Sequence, residues 1–228
     1  MIRSFVCFLA LVVAVGGLTA GGQNSSPLQQ QGIQVRDPSA LKPPAGARVA
    51  IVEFADFECP ACGRENPLLM KAVARYNIPW VRHDFPLPQH AWSFQAAVNA
   101  RWFDTKSKKL GDEYRDALFA NQRNIETLDD LRNATDKFAK DRGIAMPFAI
   151  DPQNQLADLV RADQALGNRI GIKETPTVWI VTTGGSAPPY TQVLDSSQLF
   201  SMIDQALAAT GSNTKPATAP TKPAKTKK

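Results

Sequence analysis

Cysteine and histidine are scarce in this chain, and their scarcity argues against a metal site. The 228 residues include three cysteines and two histidines. Cys7 lies in an apolar N-terminal stretch, so the rest of the chain contains only Cys59 and Cys62. A structural zinc site needs four ligands, and His83 and His90 lack the spacing that would complete one. We therefore interpret the cysteine pair as redox thiols rather than as half of a zinc site.

The chain also lacks an apolar run long enough for a comfortable membrane span of roughly 20 residues. Its most apolar stretch, Phe5 to Val15, follows Arg3 and precedes several small residues. This is the pattern of a secretory signal peptide over residues 1–22. We expect a periplasmic or otherwise extracytoplasmic location, with the leader acting as a membrane tether if it is not cleaved. In an exported chain, a single C-x-x-C pair is more typical of catalysis than of architecture.

Acidic residues are absent from the C-terminal tail, and this determines where the basic charge lies. The formal net charge is +5. The five lysines of residues 211–228 and Arg3 account for six positive charges, which leaves −1 for the remaining residues. That distribution argues against a nucleic-acid partner. The tail composition of Lys, Pro, Ala, Thr, Gly, Ser and Asn predicts a disordered spacer, with contact to anionic envelope surfaces as the alternative.

The cysteine pair lies between a predicted strand and a predicted helix. Residues 48–56 are β-branched and apolar enough to predict a buried strand, and the helical pattern runs from Cys59 to about Tyr76. Pro60 suits the first helical position, where a missing N–H costs nothing. Cys59 is then the cap of the helix, where the helix dipole stabilises a thiolate.

The patterns that follow predict a βαβ unit, a long helical region and a terminal ββα unit. A strand, a helix and a second strand in this order favour parallel neighbouring strands. The predicted segments, in chain order, are a linker over residues 23–47, a second strand from Ile78 to Phe85, helices over residues 92–170, a third strand from Thr177 to Val181, its partner from Tyr190 to Leu194, and a closing helix from Ser196 or Ser197. The helical region includes one helix from Thr127 to Arg142, capped by Thr127, and another from Pro152 to about Ile170.

Five motifs spread along the chain occur together in one family. They are Val52-Glu53-Phe54, Phe57-x-Cys59-Pro60-x-Cys62, Phe85-Pro86-Leu87 with His90, Tyr114-x-x-Ala117-Leu118-Phe119, and Gly171-Ile172-x-x-Thr175-Pro176-Thr177. On these motifs the chain resembles the DsbA-like thiol-disulfide oxidoreductases. The resemblance implies an α/β thioredoxin-like fold with an inserted α-helical domain. The thioredoxin-like domain would comprise residues 48–88 and 171–210, and the insert residues 89–170.

The resemblance also implies roles for individual residues. Cys59 would be the exposed nucleophile and Cys62 the buried resolving thiol. The position of Glu53 in a strand that should be covered on both faces independently predicts a buried carboxylate with a raised pKa, able to exchange a proton with Cys62; a solvated charge is the alternative. The Thr175-Pro176 bond would be cis and would lie opposite the cysteines, which leaves the backbone of Thr175 free to bind substrate. The alternative is an ordinary proline at a strand start.

The dipeptide Pro60-Ala61 is expected to tune the redox poise. Many oxidants of this family have His where this chain has Ala61, so we expect a somewhat weaker oxidant, with the thiolate still favoured by its helix position. The resulting hypothesis is a dithiol oxidase that introduces disulfides into exported proteins. Its partners would be reduced or unfolded exported proteins and a quinone-linked membrane oxidase of the DsbB or vitamin K epoxide reductase (VKOR) type, with no cofactor beyond the Cys59–Cys62 disulfide.

Two alternatives remain open from the sequence. Disulfide isomerases of the same superfamily also carry Thr before the cis proline, so Thr175 permits isomerase or reductase activity. Those isomerases dimerise through an N-terminal domain that residues 23–47 are too few to form, so we expect a monomeric oxidase. The second alternative is a non-catalytic chaperone module that holds clients between the two lobes, whose activity would survive replacement of both cysteines by alanine.

Overall fold

The computed structural model describes residues 32–211. The predicted signal peptide, the first part of the predicted linker and nearly all of the predicted tail lie outside this range. The described elements are β1 (Val49–Ala55), α1 (Pro60–Tyr76), β2 (Trp80–Asp84), α2 (Ser93–Asp104), α3 (Lys108–Asn121), a 3-10 turn (Gln122–Asn124), α4 (Leu128–Lys140), α5 (Gln155–Ile170), β3 (Thr177–Thr182), β4 (Tyr190–Gln192), a second 3-10 turn (Ser196–Gln198) and α6 (Leu199–Thr210).

The strand that precedes the cysteines lies inside a four-stranded sheet of order β2-β1-β3-β4. β1 is parallel to β2 and antiparallel to β3, and β3 is antiparallel to β4. Six of the seven residues of β1 are buried, as expected for a strand covered on both faces. The predicted fold class is confirmed: this is an α/β, thioredoxin-like fold with an inserted helical region.

The two faces of the sheet bury alternate residues of β1, because successive side chains of a strand point in opposite directions. On one face, Val49 and Ile51 pack with buried residues of α1 and α6. On the other face, Val52 and Phe54 pack with residues that include Phe85 and the last residue of α5. Glu53 shares the first face with Val49 and Ile51, so its carboxylate enters the layer between the sheet and α1.

The inserted region, α2 to α5, has a core of its own. Its largest fully buried side chains are Trp92, Phe103, Tyr114 and Leu131. The same cluster includes Cys59 and Cys62, so the thiols lie where the insert packs against the start of α1. The insert therefore contributes directly to the environment of the cysteine pair.

Two helix boundaries in the insert differ from the prediction. α4 begins after Thr127, which forms a capping box with Asp130, and it ends at Lys140 rather than Arg142. α5 begins at Gln155 rather than Pro152, because Asn154 adopts a left-handed conformation at φ 58° and ends the preceding turn. The domain boundaries themselves remain predictions.

Residues 32–47 contain no helix or strand, yet they pack against the domain. The backbone N–H of Arg36 donates to the carbonyl of Ile170 at 2.9 Å, and the Leu41 side chain is 3% exposed. This part of the predicted linker therefore lies on the same face of the sheet as Val52 and Phe54. Within residues 32–211, no helix has both the length and the apolar character required to cross a membrane.

Candidate active site

The cysteine pair lies at the start of α1, directly after the central strand. Cys59 is the N-cap and Pro60 the first helical residue, as the sequence predicted. The Cys59 N–H donates to the carbonyl of Asp56 at 3.2 Å, and the N–H of Asp56 donates to the Cys62 sulfur at 3.5 Å. Both cysteines are free thiols. The backbone of Asp56 therefore holds the backbone of Cys59 and the sulfur of Cys62.

The two thiols differ sharply in acidity. Cys59 is 8% exposed and Cys62 is not exposed at all, so Cys59 is the more accessible thiol but is less open than expected. Hydrogen bonding from the Cys62 thiol is the largest cause that lowers the pKa of Cys59 to about 5, and the backbone N–H groups of Ala61 and Cys62 also contribute. Burial raises the pKa of Cys62 well above its ordinary value. Only Cys59 is therefore a thiolate at neutral pH.

The segment before β3 lies against the Cys59 sulfur. The Thr175–Pro176 peptide bond is cis. The Cys59 sulfur lies 3.1 Å from the carbonyl oxygen of Thr175, to which it donates when protonated. This contact explains the low exposure of Cys59, since its sulfur is directed at Thr175 rather than at solvent. Residues 116 positions apart in the sequence thus form one site.

Glu53 is fully buried in β1. Burial raises the pKa of its carboxyl to about 7, against the opposing effect of the Arg82 charge. One carboxylate oxygen, Oε2, accepts a hydrogen bond from Trp80 Nε1 at 3.0 Å, whereas Oε1 has no hydrogen-bond partner among residues 32–211. The charge of Glu53 also contributes to the raised pKa of Cys62, so the two groups are electrostatically coupled.

Arg82 is the cation that faces Glu53, with Nε lying 3.9 Å from Oε2. Its guanidinium donates to Asn66 Oδ1 on α1 at 2.6 Å and to Asp116 Oδ1 on α3 at 2.9 Å, and it lies over the Trp80 ring. Arg82 is therefore held by α1 and α3 at the same time. Its guanidinium cannot move freely when Glu53 gains or loses a proton.

The buried Asp56 and the partly exposed His90 form a pair beside the thiols, and the sequence did not predict a place for this pair in the site. Asp56 is not exposed. Its Oδ2 accepts from Leu87 N at 2.7 Å and lies 2.6 Å from His90 Nδ1, and its Oδ1 accepts from Glu58 N at 2.7 Å. The only sequence signal was the motif Phe85-Pro86-Leu87 with His90. This pair ties the turn before α1 to the segment before α2.

The insert contacts the same turn through three further side chains or backbone groups. Phe57 N donates to Ser93 Oγ at 3.2 Å, and Trp92 N donates to Glu58 Oε2 at 2.9 Å. From the end of α3, Gln122 donates to two carbonyls of the turn. No sequence pattern had indicated Gln122. The backbone of residues 57–59 is thus hydrogen-bonded almost completely, which holds the active turn rigid.

This constellation can perform thiol–disulfide exchange, because it provides one stabilised thiolate and one buried partner thiol within a single turn of helix. A family model described as Thioredoxin matches residues 45–188, more than half of the chain. The chain belongs to the thioredoxin family. Within residues 32–211, no group of three or more His, Cys, Asp or Glu side chains is arranged to hold a metal ion.

Solved structures show that this thioredoxin-family chain has a DsbA-like fold. It matches alpha-DsbA1 of Wolbachia pipientis at a TM-score of 0.60 and 17% identity, covering 73% of this chain and 89% of that one. It matches a periplasmic thioredoxin-like protein of Salmonella enterica serovar Typhimurium at 0.57 and 22%, covering 75% and 92%. The catalytic domain of Proteus mirabilis ScsC matches at 0.57 and 19%, covering 73% and 88%.

One curated relative matches only a segment of this chain. The Na(+)/H(+) antiporter NhaA 3 of Salinispora tropica is 32% identical over 100 residues, which is 43% of this chain. The match spans only 15% of the length of that antiporter. It therefore relates one segment of the two chains and carries no argument about transport.

Proposed function

We propose that this protein is an extracytoplasmic thiol-disulfide oxidoreductase that acts as a dithiol oxidase on exported proteins. The observation that supports this proposal is the asymmetry of its two thiols beside the cis Thr175–Pro176 bond. A dithiol whose reduced form contains a stabilised thiolate releases electrons reluctantly, so its disulfide is oxidising. The low pKa of Cys59, about 5, favours this direction even though Ala61 provides no charged side chain.

The proposed reaction passes two electrons from the client to the enzyme. A client thiolate attacks the Cys59 sulfur of the Cys59–Cys62 disulfide; the bond between the two cysteines breaks, and Cys62 leaves as a thiolate that takes up a proton. A second client thiolate then attacks the client sulfur of the mixed disulfide. The client leaves with a disulfide, and the enzyme is left with the Cys59 thiolate and the Cys62 thiol.

Glu53 is the proposed proton donor and acceptor for Cys62. Its pKa of about 7 means that both protonation states are populated near neutral pH, as proton exchange requires. The carbonyl of Thr175, whose oxygen lies 3.1 Å from the Cys59 sulfur, is proposed to lie beside the client segment in the mixed disulfide. Reoxidation of the dithiol is proposed to require a membrane quinone-linked oxidase of the DsbB or VKOR type.

A disulfide-exchange assay tests the proposal directly. The oxidised protein is mixed with a reduced peptide that contains two cysteines, and the peptide disulfide is followed with time. We expect the wild type to oxidise the peptide and Cys59→Ser to be inactive, because the remaining Cys62 is fully buried. Peptide oxidation at the wild-type rate by Cys59→Ser would overturn the proposal.

The direction of electron flow has its own test. Thiol trapping in the native compartment should find Cys59 and Cys62 mostly as a disulfide. A pair found mostly as a dithiol would instead favour isomerase or reductase activity, which Thr175 before the cis proline also permits. A client-protection assay on a variant with both cysteines replaced by alanine tests the non-catalytic alternative, and we expect protection to be lost.

A further inference from the structure

The side-chain amide of Gln122 bridges two backbone carbonyls of the active turn. Its Nε2 donates to the carbonyl of Phe57 at 2.6 Å and to the carbonyl of Cys59 at 2.9 Å. The NH2 group of glutamine has two hydrogens, so one side chain satisfies both acceptors. Since Cys59 also carries the reacting sulfur, a shift of its backbone would move the sulfur by a similar distance.

Gly63, the residue after the second cysteine, provides the space that this bridge needs. A Cβ at position 63 would lie 2.6 Å from Oε1 and 3.2 Å from Cδ of Gln122. Gly63 lies inside α1, where alanine is the better helix former. The close approach of Gln122 therefore explains why glycine, a poor helix former, occupies position 63 near the start of α1.

Gln122, which forms the bridge, belongs to the inserted region. The groups that contact the Cys59 sulfur lie outside that region. Gln122 lies at the end of α3, whereas the Cys59 sulfur lies near the side chain of Thr175 and the N–H groups of Ala61 and Cys62, which lower its pKa. These stabilising contacts depend on where the backbone of Cys59 is held. The amide of Gln122 is the contact from the insert that reaches that residue's own carbonyl.

We propose that Gln122 is a positioning residue for the Cys59 thiol and that Gly63 is the site that receives its side chain. The biological meaning of this role rests on the proposed function. Through this one amide, the inserted region keeps the Cys59 sulfur within reach of the groups that stabilise its thiolate. Loss of the amide should leave the fold intact and make the thiolate less stable, so the disulfide becomes less oxidising.

The variant Gln122→Met tests this role, because methionine has a similar length and no amide. We expect the pKa of Cys59, measured from thiolate absorbance, to rise by about half a unit to one unit, which is about a three- to tenfold loss of thiolate stabilisation. The equilibrium with glutathione should shift toward the protein disulfide by a similar factor. The control is Asn124→Ala in the same 3-10 turn, whose side chain bonds to Asn121 and should change neither quantity.

A double-mutant cycle tests the partnership with Gly63. In the wild-type background, Gly63→Ala should displace Gln122 and raise the Cys59 pKa. In a Gln122→Ala background the space is open, so Gly63→Ala should leave the Cys59 pKa unchanged and raise the melting temperature through its better helix propensity. Equal effects of Gly63→Ala in both backgrounds would overturn the partnership.

The outcomes separate this inference from the proposed function. If the wild-type cysteines form no reversible disulfide with glutathione, the proposed function fails. If they do, and Gln122→Met retains the wild-type Cys59 pKa and glutathione equilibrium, only the role of Gln122 fails. Should Gln122→Met not fold, Gly63→Ala, which retains the amide, provides the same measurement: an unchanged Cys59 pKa in that variant overturns the role, and a raised pKa supports it.

Discussion

His90 Nδ1 lies 2.6 Å from Oδ2 of Asp56, a carboxylate that is completely buried next to the two thiols. The Asp56 backbone bonds to both cysteines, through its carbonyl to Cys59 N and through its N–H to the Cys62 sulfur. His90 thus acts on the reacting sulfurs through Asp56, and its contribution is to hold the turn that carries them.

Replacing His90 by alanine should destabilise the protein, because it removes one partner of a buried carboxylate oxygen. We expect a loss of about 1 to 3 kcal/mol in the free energy of unfolding, measured by urea denaturation of the disulfide form. His90→Gln, which retains a side-chain donor, should recover part of the loss. Wild-type stability in His90→Ala would show that the pair with Asp56 is dispensable.

The acidity of Cys59 should depend on the side chain at position 62. Hydrogen bonding from Cys62 is the largest cause of the lowered Cys59 pKa, so Cys62→Ala should raise that pKa from about 5 toward the ordinary value. Cys62→Ser keeps a hydroxyl donor and should retain most of the lowering. The measurement is thiolate absorbance against pH. The same Cys59 titration midpoint in the alanine and serine variants would contradict this explanation.

The buried carboxyl of Glu53 should make stability fall as the pH rises through the slightly acidic range. Its pKa is about 7 in the folded protein against 4.5 for the ordinary group, so the folded state binds the proton more tightly. Its contribution is therefore fully present below pH 4.5 and is lost between pH 4.5 and pH 7.

The size of this effect follows from the shift, since each pKa unit is worth about 1.4 kcal/mol. Relative to Glu53→Gln, the wild type should lose about 3 kcal/mol of unfolding free energy between pH 4.5 and pH 7.5. Denaturant unfolding of both proteins at the two pH values measures the difference. A pH dependence that is identical in the two proteins would show that Glu53 does not titrate between these values.

Gly167 on α5 should not tolerate a methyl group. A Cβ there would lie 2.6 Å from Cε2 of Phe85 and 3.2 Å from Cδ1 of Phe54, so the ring of Phe85 would have to move within the core. We expect Gly167→Ala to lower the unfolding free energy by about 1 to 3 kcal/mol, despite the better helix propensity of alanine. The control is Asn168→Ala, at the exposed next position of the same helix, which should be neutral or stabilising.

The fold could be predicted largely from local patterns, because its strands and helices are marked by strong hydrophobic periodicity. β1 was visible as an apolar run that precedes the cysteines, and Pro60 marked the helix start. The bounds of α5 could not be read, since the left-handed conformation of Asn154 leaves no signature in its neighbours. The burial of Glu53 followed from the same reasoning, because a central strand is covered on both faces.

The site was less predictable, because several of its contacts join segments that are distant in sequence. Thr175 and Pro176 were found through a family motif and not through any local pattern. Asp56 and Gln122 have no such mark: an aspartate after a strand and a glutamine after a helix are ordinary surface residues until the chain is folded. Their roles depend on distances to backbone atoms, which hydrophobic periodicity does not encode.

The active site combines four separate stretches of the chain, from the turn at Asp56, through the segment around His90 and the end of α3, to the peptide bond of Thr175. An unfolded chain has none of these contacts, so its Cys59 is an ordinary thiol with a pKa of about 8.5. The side chain of Thr175 is one of the groups that lower this pKa, so the full acidity of Cys59 requires the last stretch to be in place. Rapid alkylation of Cys59 at mildly acidic pH therefore reports that folding is complete, whereas the thiol of an unfolded chain reacts slowly under the same conditions.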